Sequence, residues 1–261
     1  MTSSTFLTSS SRDPFGPVSA PLDPRRRAEL VSALAAVRGR LVDACAKVNR
    51  DPHAVTLVAV TKGFPASDVA DLAALGITDV GESRDQEAKA KIAELARAAS
   101  AWQVPPLRWH FVGKLQTNKC RSIARYADVV HSVDRVETAS ALASGAQRAE
   151  RTLAVFAQVS LDGDPERGGV VAERLDALAD LIAAAGPLRL RGVMAIAPLG
   201  MDPDHAFERL ATIAAGLRGR HPAATDISAG MSSDLEAAIR HGATHVRVGT
   251  ALLGRRSDVF G

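Results

Sequence analysis

The sequence predicts a single (β/α)8 barrel of the TIM type with one additional N-terminal helix, an α/β fold. Short β-branched or continuously apolar runs alternate with alanine-rich amphipathic stretches almost from end to end. Eight such runs are present, with a helical segment in each gap, and a length of 261 residues suits the fold. A doubly wound open sheet is the rival arrangement of the same alternation.

The chain opens on MTSSTFLTSSSRDPFGPVSAPLDP, rich in Ser, Thr and Pro and without apolar periodicity. Residues 1–24 are therefore expected to form a disordered tail, and 25–261 the barrel domain. The tail has no basic start and no apolar core of the kind a signal peptide needs, and no later apolar stretch approaches the length of a membrane span. A first helix is expected over about 25–49, then strands at 56–61, 79–81, 108–112, 128–131, 154–160, 190–196, 226–229 and 245–248. The helices between them should begin near residues 66, 83, 116, 135, 170, 202 and 232.

Composition narrows the function. A hydrophobic share of 46% is ordinary for a globular protein, and the formal charge of +3 is scattered rather than gathered into a basic stripe with interleaved aromatics. That argues against a nucleic-acid partner. Cys45 and Cys120 are far apart with no CxxC or Cys/His neighbour, so their spacing gives no support to a disulfide framework or a cysteine metal site and fits a reduced, cytoplasmic setting.

The chemistry gathers at strand ends, where all eight βα loops of a barrel open on one face. Lys62 closes the first strand in LVAVTKGFP, and lysines are scarce here, six against 26 arginines. An arginine cannot give up its proton, whereas a partly desolvated lysine can attack an aldehyde and form a Schiff base. The competing reading is a lysine that escapes to solvent from a strand end. Two later loops, in ISAGMSSDLEAAI and VRVGTALLG, place Gly230, Ser232, Ser233, Gly249 and Thr250 where helices begin, after the seventh and eighth strands. Barrels often hold a phosphate there, although a plain N-cap and a plain turn account for either loop alone. Arg247 lies inside the apolar run HVRVG and must find acceptors, either a structural carboxylate or a ligand. A Schiff-base lysine, a phosphate cup and an inward arginine together describe a site for pyridoxal 5′-phosphate.

The segments AVTKGFP, GESRDQE, RWHFVGKLQTNK, the GGV closing SLDGDPERGGV, RGVMAI, GMSSDLEAAI and VRVGTALLG resemble the signature blocks of the pyridoxal-phosphate homeostasis family, the YggS/PROSC-like proteins. The resemblance implies a barrel of the alanine-racemase N-terminal type, of fold-type III. It implies a covalently held pyridoxal phosphate, buffered and handed on to apo-enzymes, without established turnover. By position, Lys62 matches the family's Schiff-base lysine, Arg247 its pyridine-facing arginine, and Ser228, Gly249 and Thr250 its phosphate contacts. His110 and Met194 match blocks without an assigned role. Ser83 stands where the family usually has Asn, and Arg167 where a second lysine is often seen. The alternatives are an amino-acid racemase, whose second base is usually a tyrosine from another domain, and a class I aldolase. The one tyrosine, Tyr126, is expected in a helix after the third strand.

Overall fold

The computed structural model describes residues 23–255, apart from 103 and 165–167. Eight parallel strands close in sequence order: β1 Thr56–Val60, β2 Asp79–Glu82, β3 Arg108–Phe111, β4 Val129–Val133, β5 Leu153–Gln158, β6 Leu188–Met194, β7 Asp226–Ser228 and β8 His245–Val248. β1 pairs with β8 as well as with β2, so the open-sheet arrangement is excluded. The covering helices are α2 Ala66–Ala74, α3 Asp85–Trp102, α4 Thr117–Ile123, α5 Val136–Arg148, α6 Ala172–Ala184, α7 Pro203–Arg220, α8 Leu235–Arg240 and α9 Thr250–Leu253. Among the described residues no helix is long and apolar enough to cross a membrane.

The additional helix, α1 Pro24–Ala46, starts just before the expected boundary. The Asp23 carboxylate accepts from the Arg25 N–H at 3.0 Å, and Pro24 takes the first helical position, where its missing N–H costs nothing. The rest of the expected tail, residues 1–22, and Arg167 lie outside the described residues. α1 has a structural task. α8 and α9 are short, and Leu30, Leu34, Val37 and Leu41 of α1 join Leu235, Ile239, Leu252 and Leu253 of those helices in one buried cluster with Ala59, Val246 and Val248 of β1 and β8. Each leucine buried in this way stabilises the fold by about 1.5–3 kcal/mol.

Strand alternation divides the core in two. The larger part lies between strands and helices. Inside the barrel the apolar cluster is small, Val129, Phe156 and Met194 with Ala154 against it, and polar side chains fill the remaining space. β6 must bend to close the ring, and its pairing with β5 shifts at Arg191, so that Phe156 lies opposite Gly192. Gly192 has φ 152°, and a Cβ there would sit 1.8 Å from the Asp226 carbonyl oxygen. Gly192→Ala should therefore lower the unfolding free energy by about 3 kcal/mol or more, read from denaturant titration; an unchanged midpoint would contradict this closure.

Candidate functional site

Lys62 stands in the turn after β1, exposed at the C-terminal mouth of the barrel. On the alternation of the strand it continues the inward face of Val58 and Val60, which lie against Gly81. Its amine has no hydrogen bond or ion pair among the described residues. The backbone beneath it is tightly held. Thr61 N–H donates to the Gly81 carbonyl at 3.0 Å, and Gly63 N–H donates to the Glu87 carboxylate. Lys91, only 5% exposed, donates to the Thr61 carbonyl at 2.7 Å, to Glu82 Oε1 at 2.6 Å and to Glu87 Oε1 at 2.8 Å. The Thr61 hydroxyl donates to the same Glu82 oxygen at 2.6 Å. From the other side Arg26 of α1 lies over the Phe64 ring at 5.7 Å, pairs with Asp68 at 2.6 Å and donates to the Leu253 carbonyl at 3.0 Å.

The two glycine loops are joined to each other. Gly230 has φ 88°, and a Cβ there would meet Ala238 Cβ at 2.6 Å, so the turn needs glycine. Ser232 does not cap α8. Its hydroxyl accepts from Ala251 N–H at 3.1 Å and ties the β7–α8 loop to the start of α9, while Asp234 accepts from Met231 N–H at 2.6 Å. Gly249 lies beside β1, where a Cβ would be 3.2 Å from the Val60 oxygen, so these loops adjoin the Lys62 turn. Thr250 begins α9 with neither its hydroxyl nor its N–H given to a protein acceptor among the described residues.

Arg247 points inward and is 6% exposed. Its Nη1 donates to Ser228 Oγ at 2.6 Å and its Nη2 to the Ala195 carbonyl at 3.1 Å, both neutral acceptors. Burial pushes its pKa down to about 10, with the Asp234 charge opposing, so it remains cationic at neutral pH. The structural carboxylate weighed for it from the sequence is not among its hydrogen-bond partners. Ser228, which the resemblance matches to a phosphate contact, is the last residue of β7. Its hydroxyl is fully buried and engaged by Arg247 and, at 2.8 Å, by His131 Nδ1. His110 is hydrogen-bonded at both nitrogens, to Asp79 and His131, and Met194 belongs to the interior apolar cluster. The Ser83 carbonyl would lie 2.1 Å from a Cβ on Gly113, so this position seats the β3–α4 loop by its backbone. Tyr126 sits in the turn after α4, not in a helix, and packs against Trp109 outside the barrel, where burial beside Asp85 and Glu82 pushes its phenol up.

Residues 34–257 match the family model described as the alanine racemase N-terminal domain. The pyridoxal phosphate homeostasis protein of Mycobacterium tuberculosis is 46% identical over 245 residues, covering 89% of this chain and 95% of that protein. The chain belongs to the pyridoxal phosphate homeostasis protein family. Among solved structures, PipY of Synechococcus elongatus PCC7942, determined with PLP bound, superimposes with a TM-score of 0.74 at 35% identity, over 86% of this chain and 100% of PipY. Alanine racemase from Streptomyces coelicolor superimposes with a TM-score of 0.65 at 20% identity, over 87% of this chain but only 58% of the racemase. That likeness is one of fold.

Sequence reasoning missed the network under Lys62, although Glu82 lies in a singled-out block and Lys91 among the six lysines. It also passed over His131, a polar side chain in an apolar strand like Arg247. Burial pushes the Glu82 carboxyl up, and Lys91 and Thr61 offset part of that. Removing the ammonium leaves a buried carboxylate unpaired, so Lys91→Met should cost about 3–5 kcal/mol at pH 7–8. Because this carboxyl binds its proton more tightly folded than unfolded, the loss should shrink as pH falls toward its unfolded value of about 4.3. Denaturant titrations across that window check the sign; a loss that grows on acidification contradicts it.

Proposed function

We propose that this protein binds pyridoxal 5′-phosphate reversibly at the mouth of the barrel, with Lys62 as the amine that condenses with the aldehyde, and that it buffers and delivers the cofactor rather than turning over amino acids. The observation that carries the reading is Arg247, a buried cation whose hydrogen-bond partners among the described residues are neutral oxygens, below an exposed lysine that has no partner among those residues. The register sets Arg247 level with Val58, so Lys62 lies four residues further along β1, about 13 Å or less at 3.3 Å per residue. The pyridoxal phosphate homeostasis proteins and PLP-bound PipY supply the identity of the ligand.

Each residue has a role in this reading. Thr250 and the backbone at Gly249 receive the phosphate, whose oxygens accept from hydroxyl and N–H groups. Arg247 donates toward the ring nitrogen and, staying protonated, leaves that nitrogen without a proton. Bound pyridoxal phosphate supplies an aldehyde and an electron sink, and this arrangement keeps the sink weak. Delivery to apo-enzymes needs a mouth from which the ligand can leave, and Lys62 is exposed.

Borohydride reduction of protein loaded with pyridoxal phosphate, followed by peptide mapping, should place the label on Lys62, and Lys62→Ala should lose it while keeping its circular dichroism. Label on Lys114 of the β3–α4 loop or Lys119 of α4 in the unsubstituted protein would move the site there.

A further inference from the structure

A line of polar side chains crosses the barrel interior below the mouth. Asp79 Oδ1 lies 2.8 Å from His110 Nε2, His110 Nδ1 lies 2.8 Å from His131 Nε2, and His131 Nδ1 lies 2.8 Å from Ser228 Oγ. Arg247 Nη1 donates to that same Ser228 oxygen at 2.6 Å. The links come from β2, β3, β4, β7 and β8, and His110, His131 and Ser228 are at most 1% exposed. The His131 ring stacks on Phe156 at 4.7 Å, which fixes its plane.

Donor and acceptor roles follow from the two ends of the line. A guanidinium only donates, so the Ser228 oxygen accepts from Arg247; its second lone pair leaves the bond to His131 open, and it is the Asp79 end, which only accepts, that with neutral rings makes His131 Nδ1 the acceptor of the serine proton. His131 then presents Nε2–H to His110 Nδ1, and His110 presents Nε2–H to the Asp79 carboxylate, which only accepts. Every donor meets an acceptor with both rings neutral. Protonating either ring would put a proton on His131 Nδ1 and leave the serine proton without an acceptor in a fully buried place. The surroundings agree. Burial, with His110, Arg247 and His245 facing it, holds His131 well below the usual histidine range. Burial opposes the Asp79 charge, but hydrogen bonds from His110 and Thr78, with Arg108 nearby, keep it below the usual carboxylate range.

We propose that Asp79, His110, His131 and Ser228 are positioning residues for Arg247, a one-way relay of hydrogen bonds that turns the Ser228 oxygen toward the guanidinium and sets where Arg247 meets the ring end of bound pyridoxal. The inference rests on the ring-end placement of Arg247 given above. It assigns Ser228 to the ring and leaves the phosphate to Gly249 and Thr250.

Two measurements on the full chain test it. The first needs no ligand. In side-chain 15N–1H correlation spectra at neutral pH, His110 and His131 should each carry a proton on Nε2 and none on Nδ1; a proton on Nδ1 of either ring overturns the relay. The second compares pyridoxal 5′-phosphate with pyridoxal. Ser228→Ala should weaken both ligands by the same factor, about tenfold for one lost hydrogen-bonded support, and shift the absorbance maximum of each bound ligand, which a loss of stability alone leaves in place. Thr250→Val should weaken only the phosphorylated ligand and leave its maximum unchanged. A Ser228→Ala loss confined to pyridoxal 5′-phosphate, or equal losses with no shift in the maximum, overturns the proposal. Should the unsubstituted protein bind neither ligand, the cofactor reading fails, and the histidine spectra still decide the relay.

Discussion

A guanidinium buried in the barrel, with no carboxylate among its hydrogen-bond partners in the described residues, is the constraint around which the rest of the structure is arranged. Taking such a charge out of water is costly unless hydrogen bonds replace its hydration. Here they come from one serine hydroxyl and one backbone carbonyl. The serine is in turn tied to two histidines and an aspartate, so the usual stacked aliphatic layers give way to a polar interior with only a small cluster around Phe156 and Met194. The Ala195 carbonyl that meets Arg247 directly follows β6, whose last residue is Met194.

The site joins a rigid floor to an accessible amine. The turn under Lys62 is gripped by Lys91 with its two glutamates on one side and by Arg26 on the other, so the backbone is fixed while the side chain stays free. Such an arrangement suits reversible capture of an aldehyde. It suits racemisation poorly, because that reaction needs two acid–base groups on opposite faces of one carbon. Tyr126 packs outside the barrel against Trp109 and cannot reach such a carbon.

The fold was legible because short β-branched or apolar runs alternate with amphipathic helical stretches, and the bounds of the eight observed strands fall within about two residues of those expected. α9 was expected only as a helix start at Gly249 and Thr250, since its four residues carry no periodicity to read. In the site, Lys62 and Arg247 were visible because each is a charge where the pattern calls for none. Ser228 was read through the resemblance as a phosphate contact, and only the geometry shows its hydroxyl turned to Arg247 and His131. Lys91 and Glu82 were hidden because a strand end and a helix face nine residues apart become partners only once the chain folds.

The central claim, that the barrel holds and passes on pyridoxal phosphate without turning over amino acids, is tested most directly by one incubation of the loaded protein with L- or D-alanine and an apo-enzyme. Chirality and the gain of apo-enzyme activity are followed together. The account predicts restored apo-enzyme activity with the alanine unchanged. Racemisation on the order of one turnover per second or faster, abolished by Lys62→Ala, would contradict it.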